Sequence, residues 1–115
     1  MSTHYYVVLT KATPGRTDDF HAWYDAQHLP DCVRVPGVKS AKRFKLLYEV
    51  GPSSEGSQIV DSPFDSLALY ELETDDPVAV ARELSARAGS PAMPLTDALE
   101  RWGSVKYMAL PAADA

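Results

Sequence analysis

The sequence predicts an α+β domain with the element order βαββαβ, and three observations predict it. Four runs rich in aromatic and β-branched residues read as strands. Two of the stretches between them carry helix start and stop signals. The strands are apolar on alternate residues of both faces, which asks for helices on one face and a second covering layer on the other.

Residues 4 to 11, "HYYVVLTK", form the first strand and stop at "ATPG", a Pro-Gly turn. Thr17 or Asp18 then caps a helix whose acidic first turn suits the positive end of the helix dipole. This helix is expected to end near His28, because Pro30 lacks an N–H and disfavours helical geometry at Leu29. "PDCVRV" is expected to add one further turn before Pro36 and Gly37. From Val38 to Val50 the chain reads as a long second strand, with Phe44, Leu46, Tyr48 and Val50 on one side and Lys39, Arg43, Lys45 and Glu49 mostly on the other. Residues 51 to 65, "GPSSEGSQIVDSPFD", are rich in Gly, Pro and Ser and are expected to be a flexible insertion or lid. "SLALYELET" is the third strand. Asp75 or Asp76 as cap, Pro77 at the first position, the stripe Val78, Ala81, Leu84 and Ala88, and Gly89 as terminator define the second helix. A helical turn is expected near Leu95 to Glu100, followed by a fourth strand in "WGSVKYMAL" and a loose tail at 111–115.

This order is the ferredoxin-like plan, a four-stranded antiparallel sheet with both helices on one face. The uncovered face predicts a homodimer in which two sheets stack into a dimeric α/β barrel. At 115 residues the chain is read as a single domain. A net charge of -5 argues against a nucleic-acid partner, which would require a surplus of Lys and Arg. The chain holds no membrane-length apolar run and no basic leader, and its lone cysteine, Cys32, forms no internal disulfide; together these predict a cytoplasmic protein that does not engage membranes. The expected partner is a small-molecule substrate.

Two stretches, "WYDAQHLPDCVRVPGVKSAKRF" and "LALYELETDD", make the chain resemble the dimeric α/β-barrel superfamily, in particular the small stand-alone proteins related to the EthD group. The resemblance implies a pocket inside each subunit, between the first helix and the sheet, with His28 of the "HLP" segment near it. It leaves the reaction open, since the superfamily includes cofactor-free monooxygenases, polyketide cyclases, muconolactone isomerase-type enzymes, dehydratases and haem-dependent members.

On a helix with about 100° between residues, Phe20, Trp23, Tyr24 and Gln27 form the inner face and His28 lies on its border. His21 and Asp25 share the stripe of His28 farther out. An imidazole bordering an apolar pocket suits general acid or base work. His28 is therefore the candidate base or acid, Tyr24 its partner, and His21 with Asp25 a secondary pair in which Asp25 fixes a histidine tautomer. Against this stand structural readings: a helix-terminal histidine favoured by the dipole, and Trp23 and Tyr24 as core or pocket wall. Phe44, Tyr70, Trp102 and Met108 are candidates, with Trp23, for the wall that binds substrate.

No metal is expected, because His21 and His28 lie about 10 Å apart along a helix axis and no paired ligand motif is present. No cofactor is expected either: there is no haem-attachment motif and no Gly-rich phosphate loop. Cys32 reads as a small buried filler, and "KSAKRFK" as a solvated strand edge. The leading expectation is a cofactor-independent isomerase, cyclase or lyase of secondary metabolism or aromatic catabolism. It would act on a small apolar oxygenated metabolite, aromatic or polyketide-like. The alternatives are a cofactor-free monooxygenase on a phenol and a dimer that binds a hydrophobic ligand without turning it over.

Overall fold

A computed structural model describes residues 1–113. Strand β1 (Ser2–Thr10) leads into a helical stretch made of α1 (Thr17–Trp23), one π turn (Tyr24–His28) and α2 (Leu29–Val33). Strands β2 (Val38–Lys45), β3 (Glu49–Ser53), β4 (Gly56–Val60) and β5 (Ser66–Thr74) follow, then helix α3 (Pro77–Arg87), a 3-10 turn (Arg101–Gly103) and β6 (Val105–Ala109). The main sheet is antiparallel in the order β2-β5-β1-β6, which is the ferredoxin-like arrangement.

The helices cover one face of this sheet. Tyr6, Val8 and Thr10 of β1 and Ser66, Ala68, Tyr70 and Leu72 of β5 alternate inward and are buried. They meet Phe20, Tyr24 and Cys32 from the helical stretch, Val35 just beyond it, and Val80 and Leu84 from α3. Each such aliphatic or aromatic side chain contributes about 1.5–3 kcal/mol by leaving water. Asp76 caps α3, its Oδ1 accepting from Ala79 N–H at 3.1 Å. Of the expected stripe, Leu84 is buried and Ala81 and Ala88 pack against the core, whereas Val78 is 52% exposed and Val80 turns inward in its place. Gly37 enters β2 with φ +95, and a Cβ there would meet Val80 Cγ2 at 2.7 Å, so only glycine fits between the turn and α3.

Three expectations are corrected. The first helix does not end at His28. Leu29 N–H reaches back five residues to the Tyr24 carbonyl, and the chain continues helically through Pro30 to Val33. A wide turn offsets the carbonyl that the proline ring would strike, and Pro30 needs no N–H there. The second strand does not run to Val50: β2 ends at Lys45, and Glu49–Ser53 pairs instead with Gly56–Val60. Residues 51–60 of the segment read as a flexible insertion or lid thus belong to a two-stranded hairpin, with Gly56 at φ +115 after its turn, and residues 61–65 lead into β5. Leu95 to Glu100 forms no helix and instead bridges to the segment after β1 through Ala12 and Leu99, with the 3-10 turn falling later. Residues 111–113 have no regular structure, and the rest of the expected tail lies outside the described residues.

Candidate functional site

A cavity of about 560 Å³ lies between the helical stretch and the inner face of the sheet. Trp23, Tyr24, His28 and Cys32 line it from the helices. Tyr6, Val8 and Thr10 of β1 and Tyr70 of β5 form the sheet wall. Leu84 of α3 and Ala88 at its C-cap close a third side with Met93, Leu95 and Leu99. Ser85, Arg101, Trp102 and Lys106 line it while remaining exposed, and so mark its mouth.

The π turn determines what the helix presents to this space. With about 100° between residues, Trp23 and His28 would diverge; the wider turn brings positions five apart onto one side. The Trp23 and His28 rings accordingly stack at 4.6 Å with 23° between their planes. Tyr24 meets His28 edge-on at 5.1 Å. Gln27, expected on the inner face, is turned outward and donates to Asp31 at 2.6 Å.

His28 Nε2 lies 3.7 Å from Cys32 Sγ, and its Nδ1 is buried with no hydrogen-bond partner. Burial pushes the imidazole down to about 4, with Lys106 pushing the same way and Asp31 opposing. At neutral pH His28 is therefore uncharged. The Tyr24 and Tyr70 hydroxyls lie 3.3 Å apart. Burial raises Tyr24 to about 12 and Tyr70 well above its ordinary value, so both remain O–H donors. Burial also lifts the Cys32 thiol to about 11, so it is not a thiolate nucleophile.

His21 and Asp25 do not line the cavity, and Asp25 orients neither histidine. Arg43 stands between them: it donates to Asp25 Oδ1 at 2.7 Å and Oδ2 at 2.9 Å, and its Nη1 lies 2.8 Å from His21 Nδ1. The guanidinium, 4% exposed, also lies over the Tyr24 ring at 5.2 Å. Hydrogen bonds from Arg43 hold Asp25 below its ordinary value, while burial and then the Arg43 charge lower His21. This cluster fastens the helix to β2; Arg43 belongs to the inner face, not to a solvated edge.

Of the expected wall residues, Trp23 and Tyr70 line the cavity and Trp102 stands at its mouth, 89% exposed. Met108 packs against the core without lining the cavity. Phe44 is half exposed and pairs with Leu67 on the opposite face of the sheet. Tyr6, Thr10, Cys32, Arg101 and Lys106 are cavity residues that the sequence reading did not select. Strand alternation places Tyr6 with Val8 and Thr10, and Lys106 with Met108, so the signal for some of them was present.

Among the described residues, no group of three or more His, Cys, Asp or Glu is placed to hold a metal ion. No helix is long and apolar enough to cross a membrane.

No protein-family profile matches the chain, and no curated protein matches it. Solved structures do. A protein of the ethyl tert-butyl ether D (EthD) family from Bacillus halodurans C-125 is 16% identical with a TM-score of 0.50, over 95% of this chain and 99% of that one. The protein Rv0793 from Mycobacterium tuberculosis is 18% identical with a TM-score of 0.50, over 99% of both chains. The chain has an EthD-like, ferredoxin-like fold.

Proposed function

We propose that the protein is an acid–base enzyme of the isomerase, cyclase or lyase type, acting on a small apolar oxygenated metabolite within the cavity. The observation that carries this reading is His28, with a buried and unpartnered Nδ1, in a cavity also lined by Tyr24 and Tyr70, whose hydroxyls lie 3.3 Å apart. A neutral imidazole accepts a proton at one nitrogen, and a protonated tyrosine donates to an oxygen on which negative charge develops. One proton suffices for the contact between Tyr24 and Tyr70; the other hydroxyl proton, within reach of Cys32 or Thr10, is the one that a ligand oxygen would recruit.

An imidazole near 4 is a weak base. It therefore suits carbon or oxygen acids already activated by their own structure, such as 1,3-dicarbonyl compounds and phenolic ketones, and these are the groups found in aromatic and polyketide-like metabolites. In the chemistry we envisage, His28 takes the proton from the activated carbon while a tyrosine hydroxyl stabilises the enolate oxygen. Returning the proton elsewhere gives isomerisation, and expelling a leaving group gives elimination.

The reading is tested by incubating the protein in D₂O with a panel of 1,3-dicarbonyl and phenolic ketone compounds and following exchange of the acidic C–H by NMR. Wild type is expected to accelerate exchange, and His28→Ala to lose about 100-fold or more of that acceleration while still binding the compounds. Exchange at the buffer rate across the panel would sink the proposal, as would undiminished exchange in the variant.

We also propose that a second copy of the chain covers the open face of the sheet. Val7 and Leu9 of β1, Leu67 and Leu69 of β5, Phe44 and Tyr107 make that face apolar. Burial against an identical sheet removes this surface from water without any further element.

A further inference from the structure

The cavity has a charge asymmetry that proton transfer does not explain. The chain carries 16 acidic residues against 11 basic ones, yet no Asp or Glu lines the cavity, while Arg101 and Lys106 both do. Six of the basic side chains are engaged in ion pairs elsewhere: Lys11, Arg16, Arg34, Lys39, Arg43 and Arg87. Among the described residues, Arg101 and Lys106 have no acid within 4.0 Å.

Their placement matters as much as their charge. Lys106 lies on the inner face of β6, opposite Val8, and its charge is felt by both His28 and Cys32. The Arg101 guanidinium lies over the exposed Trp102 ring at 5.0 Å and lies close to Gly89, which follows α3. Two cations thus flank the mouth of a cavity whose deeper walls are Tyr6, Val8, Leu84, Met93 and Leu99. Low-dielectric walls focus such a field on whatever enters. A guanidinium presents a planar fork to a carboxylate, and an ammonium adds a point charge with three donors.

We infer that the ligand of this cavity is an organic acid: an apolar body seated against the inner walls, and a carboxylate held at the mouth by Arg101 and Lys106. The inference rests on the proposed use of the cavity as a small-molecule site and adds the chemical class of its occupant. It also gives the ligand a direction. With the carboxylate at the mouth, the opposite end faces His28 and the tyrosine pair, and Trp102 stands beside the entering acid.

The test is calorimetric titration at low ionic strength with two matched pairs, 2-naphthoate against 2-naphthamide and octanoate against octanamide. One pair offers a flat body and the other a linear one. In at least one pair the acid is expected to bind about tenfold more tightly than its amide. Arg101→Gln and Lys106→Gln should each weaken acid binding severalfold, and the double variant should bind acid and amide alike. Added salt should erode the preference in wild type but not in the double variant. Amides that bind as tightly as the acids would overturn the carboxylate site and leave the cavity reading standing. Failure of all four compounds to bind would overturn both.

Discussion

His28 sits where burial and chemistry meet. Its ordinary value in an unfolded chain is 6.5, and in the fold it is about 4. Between those values the unfolded chain holds a proton that the folded chain does not. The His28 contribution to stability is therefore constant above about pH 6.5 and falls as the pH drops toward 4, by about 3 kcal/mol in all. Urea titrations at pH 7.5 and pH 4.5 measure this loss. Substituting Gln for His28 should remove that part of the acid sensitivity, whereas an equal loss in both proteins would remove His28 as its source. The chemical type of His28 and its place beside Tyr24 were legible in the sequence; its stacking on Trp23 was not, because it depends on the π turn. The roles of His21 and Asp25 were not, because their partner Arg43 is 18 residues beyond Asp25 and meets it only once β2 pairs with β5.

At the scale of elements, the sequence patterns marked what local chemistry determines. Asp76 and Pro77 opened α3, as their positions required, and Gly89 follows its end with φ +87. Strand alternation placed Tyr6, Val8 and Tyr70 correctly on one face. Two features escaped. Pro30 is a breaker only in a helix of ordinary pitch, and a single five-residue step absorbed it. That step also turned His28 inward beside Trp23, so the misread helix end and the position of the candidate base share one cause. The hairpin of β3 and β4 was hidden for a different reason. "GPSSEG" reads as loop by composition, yet the pairing of Val50 with Ile59 across a Gly56 turn needs only short strands.

For the whole molecule, the sheet has one face closed by helices and one left open. Element order alone made the ferredoxin-like topology legible, and structures only 16% and 18% identical share the fold. The open face carries the apolar residues that β1 and β5 turn away from the helices. Under the proposed pairing of two sheets, light scattering should return twice the mass of the chain. Leu69→Glu, which places a charge at the centre of that face opposite Val7, should return the single mass while preserving the far-ultraviolet circular dichroism. A monomeric wild type would refute the pairing. Sheet stacking leaves the helical side, and with it the cavity mouth at Arg101, Trp102 and Lys106, open to ligands.

The account depends above all on an uncharged, ligand-accessible His28 inside the cavity. Nitrogen-15 NMR of the histidine side chains, followed from pH 8 to pH 3.5 with and without 2-naphthoate, reads both properties from one ring. The account predicts that the His28 signals stay in the neutral form to below pH 5, titrate near pH 4 and move when the acid is added. Titration near 6.5 with no response to the acid would contradict it.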